Sequence, residues 1–366
     1  MSAKRCASYY NATIKQESDY PELEGDLRVD VVIIGGGFTG VATAVELSEK
    51  GYKVALLEAN KIAWGATGRN GGQVTGSLSG DAAMTKQLRR HLGQDAEDYV
   101  WDLRWRGHDI IKSRVAKYNI DCDLKFGHIQ TAYRPTHMAE LQQMFDEANR
   151  RGMGEFMTLV PEQEMPTYLA SPLYHGGLVN RRNMHLHSVN LCLGEARAAA
   201  SLGAQIFEHS QVLDIQQGEL ATVVTPKGRV KANSVLIAGN AYHKLGRPKL
   251  RGMLFPASLG NCATAKLPAE LAKQLNPQDL AVYDCRFVLD YYRLTADNRL
   301  MFGGGTNYSG RDPKNVAAEL RPAIERTFPQ LKGVDIEFAW AGMAGIVINR
   351  IPQLGKIAPN IFYCQG

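Results

Sequence analysis

Apolar and polar positions between residues 29 and 60 follow three successive patterns. Residues 29–34 are almost all β-branched or apolar, which is typical of a strand buried on both faces of a parallel sheet. Across residues 39–50 the apolar side chains recur at the spacing of one helix face. Residues 53–57 form a second apolar run, and Glu58 stands at its end. These patterns together predict a strand, a helix and a second strand in one βαβ unit.

Three glycines join the first strand to the helix as Gly35-x-Gly37-x-x-Gly40. In this motif the first glycine permits a tight turn, the second lets a pyrophosphate approach the backbone, and the third allows close helix packing. The helix N-terminus then presents free N–H groups and a positive dipole end to the phosphates. Glu58 follows Gly40 by 18 residues and is placed to accept hydrogen bonds from a ribose. The motif predicts a dinucleotide site; the alternative is a glycine-rich turn in an unrelated α/β protein.

A polar, glycine-rich loop at residues 62–73 follows the acid almost at once. An NAD-binding domain normally continues directly into its next helix, whereas this loop has backbone and polar groups for a second set of ligand atoms. The carboxylate of Glu58 would also repel the 2′-phosphate of NADP. The loop therefore favours FAD over NAD, and the alternative is an ordinary surface loop.

Composition narrows the class of protein without identifying it. The chain has 366 residues, with 45% hydrophobic and 22% charged residues, which is typical of one large globular domain or two intertwined ones. The net charge of +5, without a basic cluster, argues against nucleic acid as a partner. Six scattered cysteines form no C-x-x-C pair or metal-ligand spacing, so we expect reduced thiols and no metal. With no signal peptide and no run of about 18 apolar residues, we expect a cytoplasmic protein with no transmembrane segment.

Several segments together resemble the flavoproteins of the D-amino-acid oxidase/sarcosine oxidase superfamily, and most closely its bacterial γ-glutamylputrescine oxidoreductase branch. Beside the glycine motif, these segments are "GATGRNGGQ" (65–73), "SYY" (8–10), "YNIDCD" (118–123), "VLIAGNAY" (235–242), "DYYRLTADNRLMFGGG" (290–305) and "TFPQLKGV" (327–334). The resemblance spans essentially the whole chain. It implies noncovalent FAD, because no cysteine or histidine clearly matches those that bind flavin covalently in some relatives.

The resemblance also implies the fold and the cofactor contacts. The expected fold class is α/β, with a discontinuous Rossmann-like FAD-binding domain and an interleaved α+β substrate domain that carries an antiparallel sheet. The expected FAD-binding domain comprises residues 1–90, 190–250 and 335–366, and the substrate domain comprises residues 91–189 and 251–334. The residues expected to contact FAD are Gly35, Gly37, Phe38, Thr39, Gly40, Glu58, Ala59, Thr67, Arg69, Asn70, Gly71, Gly72, Gln73, Val212, Gly239, Asn240, Gly342 and Pro352.

The segment "WAGMAGIVINRIPQLG" at residues 340–355 bears on the substrate. In the relatives that oxidise amino acids, the corresponding segment carries an arginine that binds the substrate α-carboxylate. Ala344 stands at that position here, and Gly345 replaces the proline that follows it in those relatives. Because alanine cannot bind a carboxylate, we expect an amine whose carboxylate lies far from the reacting carbon, such as γ-glutamylputrescine.

Four residues are candidates for contact with the substrate or the flavin ring: Tyr291, Arg293, Arg350 and His187. Strand alternation sends the side chains of Tyr291 and Arg293 to one face, where they would line a pocket; the alternative is core packing with a solvated arginine. Arg350 is expected near the flavin, unless it is an ordinary surface arginine. His187, like His185 and His128, is either near the amine or a structural histidine.

Flavin chemistry requires little of the protein itself, because the cofactor accepts the hydride. We expect a hydride to pass from the carbon beside nitrogen to flavin N5, after which the imine hydrolyses. Two alternatives stay open: an FAD-dependent oxidase of another secondary amine or N-methyl amino acid, and a truncated, non-catalytic flavin fold. The second arises because the family continues past the strand at residues 360–366 into a turn and helix that contact the flavin. The sequence leaves the electron acceptor and the oligomeric state open.

Overall fold

A computed structural model describes residues 5–76, 80–243, 245, 250 and 252–366. The strands in that part of the chain are β1 (Gly25–Ile34), β2 (Val54–Leu57), β3 (Gln73–Val74), β4 (Lys125–Thr131), β5 (Met157–Pro161), β6 (Gly176–His185), β7 (Gln205–Phe207), β8 (Asp214–Gln216), β9 (Ala221–Val224), β10 (Gly228–Ile237), β11 (Phe255–Thr264), β12 (Ala281–Asp284), β13 (Tyr291–Leu294), β14 (Leu300–Asn307), β15 (Ile336–Ile346), β16 (Gln353–Ala358) and β17 (Ile361–Gln365). The α-helices are α1 (Tyr9–Ala12), α2 (Phe38–Glu49), α3 (Asp81–Leu92), α4 (Ala96–Lys117), α5 (His137–Arg150), α6 (Ser188–Ser201), α7 (Ala269–Leu275) and α8 (Val316–Thr327). Short 3₁₀ helices span Ala66–Gly68, Gly93–Asp95, Gly154–Phe156, Glu162–Thr167, Asn240–Tyr242 and Pro329–Leu331.

The first sheet contains the predicted βαβ unit. Its main strand order is β16-β17-β10-β1-β2-β7, and β8 and β9 are attached to it through β10. Five consecutive strands of this order are parallel to one another: β17, β10, β1, β2 and β7. Every residue of β2 is buried, as the continuous apolar run predicts for a parallel strand covered on both faces. Helices α2 and α6 cover one face of the sheet, and the layer formed with β8 and β9 covers the other.

Close packing explains the third glycine of the motif. A Cβ atom at Gly40 would lie 1.9 Å from the carbonyl oxygen of Gly35, so no larger residue fits at this position without displacing the turn. The absence of a side chain lets the first turn of α2 sit directly against the end of β1. The helix N-terminus is thereby held at the carboxyl edge of the parallel strands, where α/β sheets bind their ligands.

The second sheet is predominantly antiparallel. Its main order is β15-β11-β14-β13-β12-β4-β6-β3, and β5 pairs with β6. Strands β12 and β4 form a parallel pair, while β13 and β14 form an antiparallel hairpin around Asn298, which has a φ of 61°. Helices α7 and α8 cover a separate apolar core on one face of this sheet. The predicted α/β fold with an additional antiparallel sheet is confirmed.

The two sheets do not divide at the predicted domain boundaries. Strand β15 lies within residues 335–366, which we assigned to the FAD-binding domain, yet it pairs with β11 of the second sheet. Strand β3 lies within residues 1–90 but pairs with β6 of the second sheet. The second sheet therefore takes strands from both predicted domains, and the boundaries themselves stay a prediction.

Three further observations concern the described residues. No helix among them combines the length and the apolar character that a membrane crossing requires. All six cysteines lie in this part of the chain, and none forms a disulfide. The described histidines, cysteines, aspartates and glutamates do not come together in a group of three or more that could hold a metal ion.

Candidate functional site

The glycine turn, which we define as residues 35–40, lies directly beside Glu58. One carboxylate oxygen of Glu58 accepts a hydrogen bond from the backbone N–H of Gly36 at 2.7 Å, and the other accepts from Asn60 at 2.8 Å. Burial raises the pKa of this carboxyl group, while the two backbone donors oppose that shift. A carboxylate offers about four acceptor positions, so two remain for the hydroxyl groups of a ribose.

The first turn of α2 supplies donors for an anion. The N–H of Phe38 is hydrogen-bonded to the hydroxyl oxygen of Thr67 at 3.1 Å. The N–H of Thr39 and Gly40 belong to the group that helix geometry leaves without a partner inside the helix. These donors and the positive end of the helix dipole face the carboxyl edge of the sheet, which suits a pyrophosphate. The residues present therefore fit a dinucleotide.

The polar loop, which we define as residues 62–73, is an ordered part of the site. The side-chain amide of Asn70 donates to the carbonyl oxygens of Ala66 and Thr67, at 3.3 and 3.0 Å. Its amide oxygen accepts from the N–H of Gly72 at 2.8 Å and from the hydroxyl of Ser188 at 2.6 Å. The side chain of Asn70 thus fixes the loop conformation, and the alternative of an ordinary surface loop does not fit these contacts or the burial of residues 62–73.

Side chains of the second sheet also form hydrogen bonds to the polar loop. The carbonyl oxygen of Arg69 accepts hydrogen bonds from the indole N–H of Trp340 and the amide of Asn261, both at 3.0 Å. The guanidinium of Arg69 donates to the carbonyl oxygen of Ala341 at 3.1 Å and lies over the ring of Trp64. Gly342 packs against Arg69, where a Cβ atom would come within 2.7 Å of the arginine Cβ. Arg69 therefore links the polar loop to strands β11 and β15 of the second sheet.

Arg293 is a buried anchor for the same loop. Only 1% of its surface is exposed. Its guanidinium donates to the carbonyl oxygens of Gly71 at 3.0 Å, Leu186 at 2.8 Å and Leu294 at 3.1 Å, and contacts the hydroxyl of Tyr10 at 3.3 Å. The side chain is buried and its guanidinium is engaged by these four protein groups, a geometry that favours a positioning role. The alternative of a solvated arginine does not fit this burial, and contact of Arg293 with the substrate stays a prediction.

Tyr291 lies beside a cavity that is bounded by the polar loop. The ring of Tyr291 approaches Gly71 so closely that a Cβ atom there would be 2.5 Å from a ring carbon. Its hydroxyl donates to the amide oxygen of Asn261 at 3.0 Å, and burial raises its pKa. The cavity has a volume of about 220 Å³, and we name it the ring cavity. It is lined by Asn70, Gly71, Gly72, Gln73, Thr75, Tyr283, Leu289 and Tyr291.

The remaining predicted cofactor residues lie around this centre. Ala59 is exposed beside Glu58, and Val212 is partly buried two residues after Ser210, whose N–H donates to the Glu58 carbonyl oxygen at 2.8 Å. Gly239 and Asn240 follow β10, and the side-chain oxygen of Asn240 accepts from the N–H of Gly366 at 3.3 Å. Pro352 is exposed before β16. Their contact with a cofactor stays a prediction.

Neither Arg350 nor His187 lines the ring cavity. Arg350 is exposed, adopts a φ of 60°, and has its guanidinium 3.5 Å from the hydroxyl of Tyr308. His187 is buried and caps α6: one ring nitrogen accepts from the N–H of Asn190 at 3.1 Å, and the other lies 3.0 Å from the hydroxyl of Thr13. Burial lowers the pKa of His187 to about 3, so the ring is neutral. This geometry favours the structural alternative for His187 and the surface alternative for Arg350.

Several residues of the site were not anticipated. Asn261 joins Tyr291 to Arg69, Ser188 orients Asn70, and Tyr283 and Leu289 line the ring cavity. Asn261 is 1% exposed within the mainly apolar strand β11, and a buried amide at such a position is a signal that the sequence did contain. The others carry no comparable local signal.

Comparison with known proteins identifies the family. A family model described as FAD dependent oxidoreductase (DAO) matches residues 30–366. The gamma-glutamylputrescine oxidoreductase of Escherichia coli (strain K12) is 38% identical over 363 residues, which cover 98% of this chain and 84% of that protein. A probable oxidoreductase, OrdL, of Haemophilus influenzae is 34% identical over 365 residues, which cover 98% of this chain and 83% of that protein.

Solved structures have the same fold. The glycine oxidase of Geobacillus kaustophilus superposes with a TM-score of 0.74 at 22% identity, covering 93% of this chain and 89% of that chain. The L-proline dehydrogenase of P. horikoshii superposes with a TM-score of 0.76 at 18% identity, covering 94% of this chain and 88% of that chain. The predicted resemblance is confirmed: the chain belongs to the DAO family of FAD-dependent oxidoreductases.

Proposed function

We propose that this FAD-dependent oxidoreductase oxidises the terminal amine of γ-glutamylputrescine or a close polyamine derivative. The observation that carries the proposal is the 38% identity, across 98% of this chain, to a gamma-glutamylputrescine oxidoreductase. In this reaction the carbon beside the amine nitrogen loses a hydride, and water then hydrolyses the imine to an aldehyde with release of ammonia. FAD, when bound, supplies the hydride acceptor.

The residue at position 344 supports an amine rather than a simple α-amino acid. Ala344 lies on β15 opposite Ala257 of β11, so both of these paired positions lack a cationic side chain. A carboxylate bound close to the reacting carbon requires an arginine or an equivalent donor set. We infer that the substrate carboxylate binds at some distance from the reacting carbon, as the γ-glutamyl group of γ-glutamylputrescine permits.

The ring cavity is the proposed position of the reacting end. The backbone of Asn70, Gly71 and Gly72 forms one side of it, and Tyr283 and Tyr291 supply aromatic surface on the other. Such rings suit an aliphatic chain that ends in an amine. The anchors Arg293 and Asn261 hold the loop and Tyr291 in fixed positions, and fixed positions are what orientation of a C–H bond requires.

We further propose that FAD binds noncovalently and that the protein is cytoplasmic. Burial raises the pKa of Cys122 and of Cys262 to about 12, so both thiols are protonated near neutral pH and are poor nucleophiles towards a flavin. Acid precipitation tests the first proposal. Flavin that stays with the protein pellet would contradict it, and flavin released into the supernatant is the expected result.

A substrate panel tests the proposed reaction. The protein is saturated with FAD under anaerobic conditions and mixed with γ-glutamylputrescine, putrescine, sarcosine or D-alanine while flavin absorbance is recorded. We expect γ-glutamylputrescine to bleach the flavin fastest. Bleaching by sarcosine or D-alanine alone would support the secondary-amine or amino-acid alternative. A protein that takes up no FAD would support the non-catalytic alternative.

A further inference from the structure

A second cavity adjoins the ring cavity and has the chemistry of a binding site for a zwitterion. Tyr283 lines both cavities, and the polar segment continues from Thr75 in the first to Gly76 in the second. The second cavity has a volume of about 360 Å³, and we name it the head-group cavity. It lies among helices α4 and α5 and strands β4 and β6, and it is lined by Gly76, Trp101, Arg104, Trp105, His128, Gln130, Glu140, Gln143, Met144, Glu147, Met157, Leu178, Asn180, Asn183 and Tyr283.

Two buried lining residues have polar atoms without a protein partner. Trp105 is 5% exposed and His128 is 1% exposed. Among the described residues, neither the indole N–H of Trp105 nor Nε2 of His128 has a hydrogen-bond partner. Most buried polar groups are hydrogen-bonded, because an unpaired one costs about 1–3 kcal/mol. These two atoms therefore point to a polar ligand.

The lining also carries charges of both signs. Arg104 lies at the cavity, forms an ion pair with Asp81, and has an Nε atom without a partner among the described residues. Glu147 is neutralised by ion pairs with Arg150 and Arg151. Glu140 forms no ion pair within the described part of the chain. The cavity thus offers a guanidinium donor for a carboxylate and a free carboxylate for an ammonium group.

We propose that the head-group cavity binds the α-amino-acid end of the γ-glutamyl group, with Arg104 facing its carboxylate and Glu140 facing its ammonium group. The side-chain amide of Gln143 lines the cavity and is available for the amide bond that joins this group to the diamine, whereas the amide of Gln130 already contacts Cys285 and Tyr283. The aliphatic chain then passes Tyr283 into the ring cavity. This inference rests on the proposed function, and it supplies the distant carboxylate site that Ala344 cannot provide.

Two substrates distinguish a loss of head-group binding from a general loss of activity in the variants. γ-Glutamylputrescine carries the zwitterionic group, whereas N-acetylputrescine keeps the amide, the chain and the amine but lacks it. We expect Arg104→Gln and Glu140→Gln each to raise KM for γ-glutamylputrescine by about tenfold or more, with little change in kcat. KM for N-acetylputrescine should change less than about twofold. Equal effects on the two substrates, or none on either, would overturn the inference.

The matched control is Arg106→Gln. Arg106 is exposed on the same helix, two residues after Arg104, and does not line the head-group cavity. This variant should leave both KM values unchanged. Arg104→Gln could lose stability, because Arg104 pairs with Asp81. Glu140→Gln tests the same site without that loss, because Glu140 is exposed and forms no ion pair among the described residues.

A non-oxidisable probe keeps this inference separate from the proposed reaction. γ-Glutamylbutylamide has the head group and the chain but no terminal amine, so its binding can be measured by calorimetry without turnover. We expect it to bind the FAD-loaded protein, and to bind Arg104→Gln about tenfold more weakly. If the substrate fails to bleach flavin while the probe binds in this pattern, the proposed reaction is wrong and the site is supported. If the probe does not bind, the site inference is wrong.

Discussion

The carboxylate of Glu58 and the backbone N–H of Gly36 are joined by a hydrogen bond of 2.7 Å. This bond ties the end of β2 to the glycine turn after β1, two segments that are 22 residues apart in the chain. It places the acid expected at the ribose beside the turn expected at the pyrophosphate. The turn is therefore preorganised by the same carboxylate that is proposed to bind the cofactor.

Replacing Glu58 should weaken cofactor binding more than folding. In Glu58→Gln, one of the two backbone donors at Gly36 and Asn60 would face an amide N–H₂ instead of an acceptor oxygen. We expect the Kd for FAD to rise about 10-fold to 100-fold, measured by titration of the apoprotein. Glu49→Gln is the matched control, because Glu49 lies on the surface of α2 in an ion pair with Lys117. An unchanged Kd in Glu58→Gln would contradict the assignment.

Removing the Arg293 guanidinium should destabilise the polar loop. Arg293→Met would leave the carbonyl oxygens of Gly71, Leu186 and Leu294 without their donor in a buried environment. We expect a loss of about 3 kcal/mol or more in the free energy of unfolding, together with a lower flavin content on purification. Denaturant unfolding and the ratio of flavin to protein absorbance measure the two effects. Arg229→Met, at an exposed strand position, should change neither, and normal flavin content in Arg293→Met would refute the anchoring role.

Two adjacent tyrosines provide a test of the ring cavity. Tyr291→Phe removes the hydroxyl that donates to Asn261 beside the cavity. We expect the rate of anaerobic flavin reduction to fall about threefold to tenfold, measured by stopped-flow absorbance, because the ring loses a positioning contact. Tyr292→Phe removes a hydroxyl that contacts Tyr174 in the core on the other face of the sheet. That variant should lose about 1 kcal/mol of stability with no change in the reduction rate. If the two variants slow reduction equally, the ring cavity is not the reacting site.

Stability should fall as the solution is acidified below pH 6.5. Burial lowers the pKa of His128, His185 and His187 from 6.5 to about 3, so each is neutral in the folded protein. Between these two values the unfolded chain binds protons that the folded chain does not, and the free energy of unfolding therefore decreases with falling pH. Each histidine contributes a slope of about 1.4 kcal/mol per pH unit in that window, and the stabilisation is fully present only above pH 6.5.

A histidine variant can check this pH dependence. His187→Asn keeps a side-chain acceptor for the N–H of Asn190 but cannot titrate. Urea unfolding at pH 5 and pH 7 should show a smaller pH difference for the variant than for the parent protein. Equal differences would mean that His187 does not bind a proton on unfolding in this range.

Local patterns predicted the parts of the fold that local physics determines. The apolar run of β1, the glycine motif, the helix face of α2 and the acid at Glu58 lie within one segment, and each has its own signature. The hairpin at Asn298 is likewise a local feature, because a short polar turn between two apolar runs has few other conformations. The N-cap of α6 is His187, which is not a usual capping residue, so the sequence carries no standard signal for the start of this helix.

Features that depend on distant partners were not predictable in this way. Strand alternation placed Tyr291 and Arg293 on one face correctly, but it could not show that Arg293 meets the carbonyl of Leu186, which is 107 residues away. The exposure of Arg350 and the two partners of His187 likewise depend on other segments. The position of β15 in the second sheet also depends on a distant partner. Its pairing with β11 joins segments that the sequence assigned to two different domains.

The bond between Trp340 and the carbonyl of Arg69 joins residues that are 271 positions apart. During synthesis at about 5–20 residues per second, the polar loop would leave the ribosome roughly 15 to 55 seconds before this anchor exists. The early βαβ unit can form its own turn in that interval, but it lacks the groups that fix the loop. Productive capture of the flavin is therefore an event that follows translation of most of the chain.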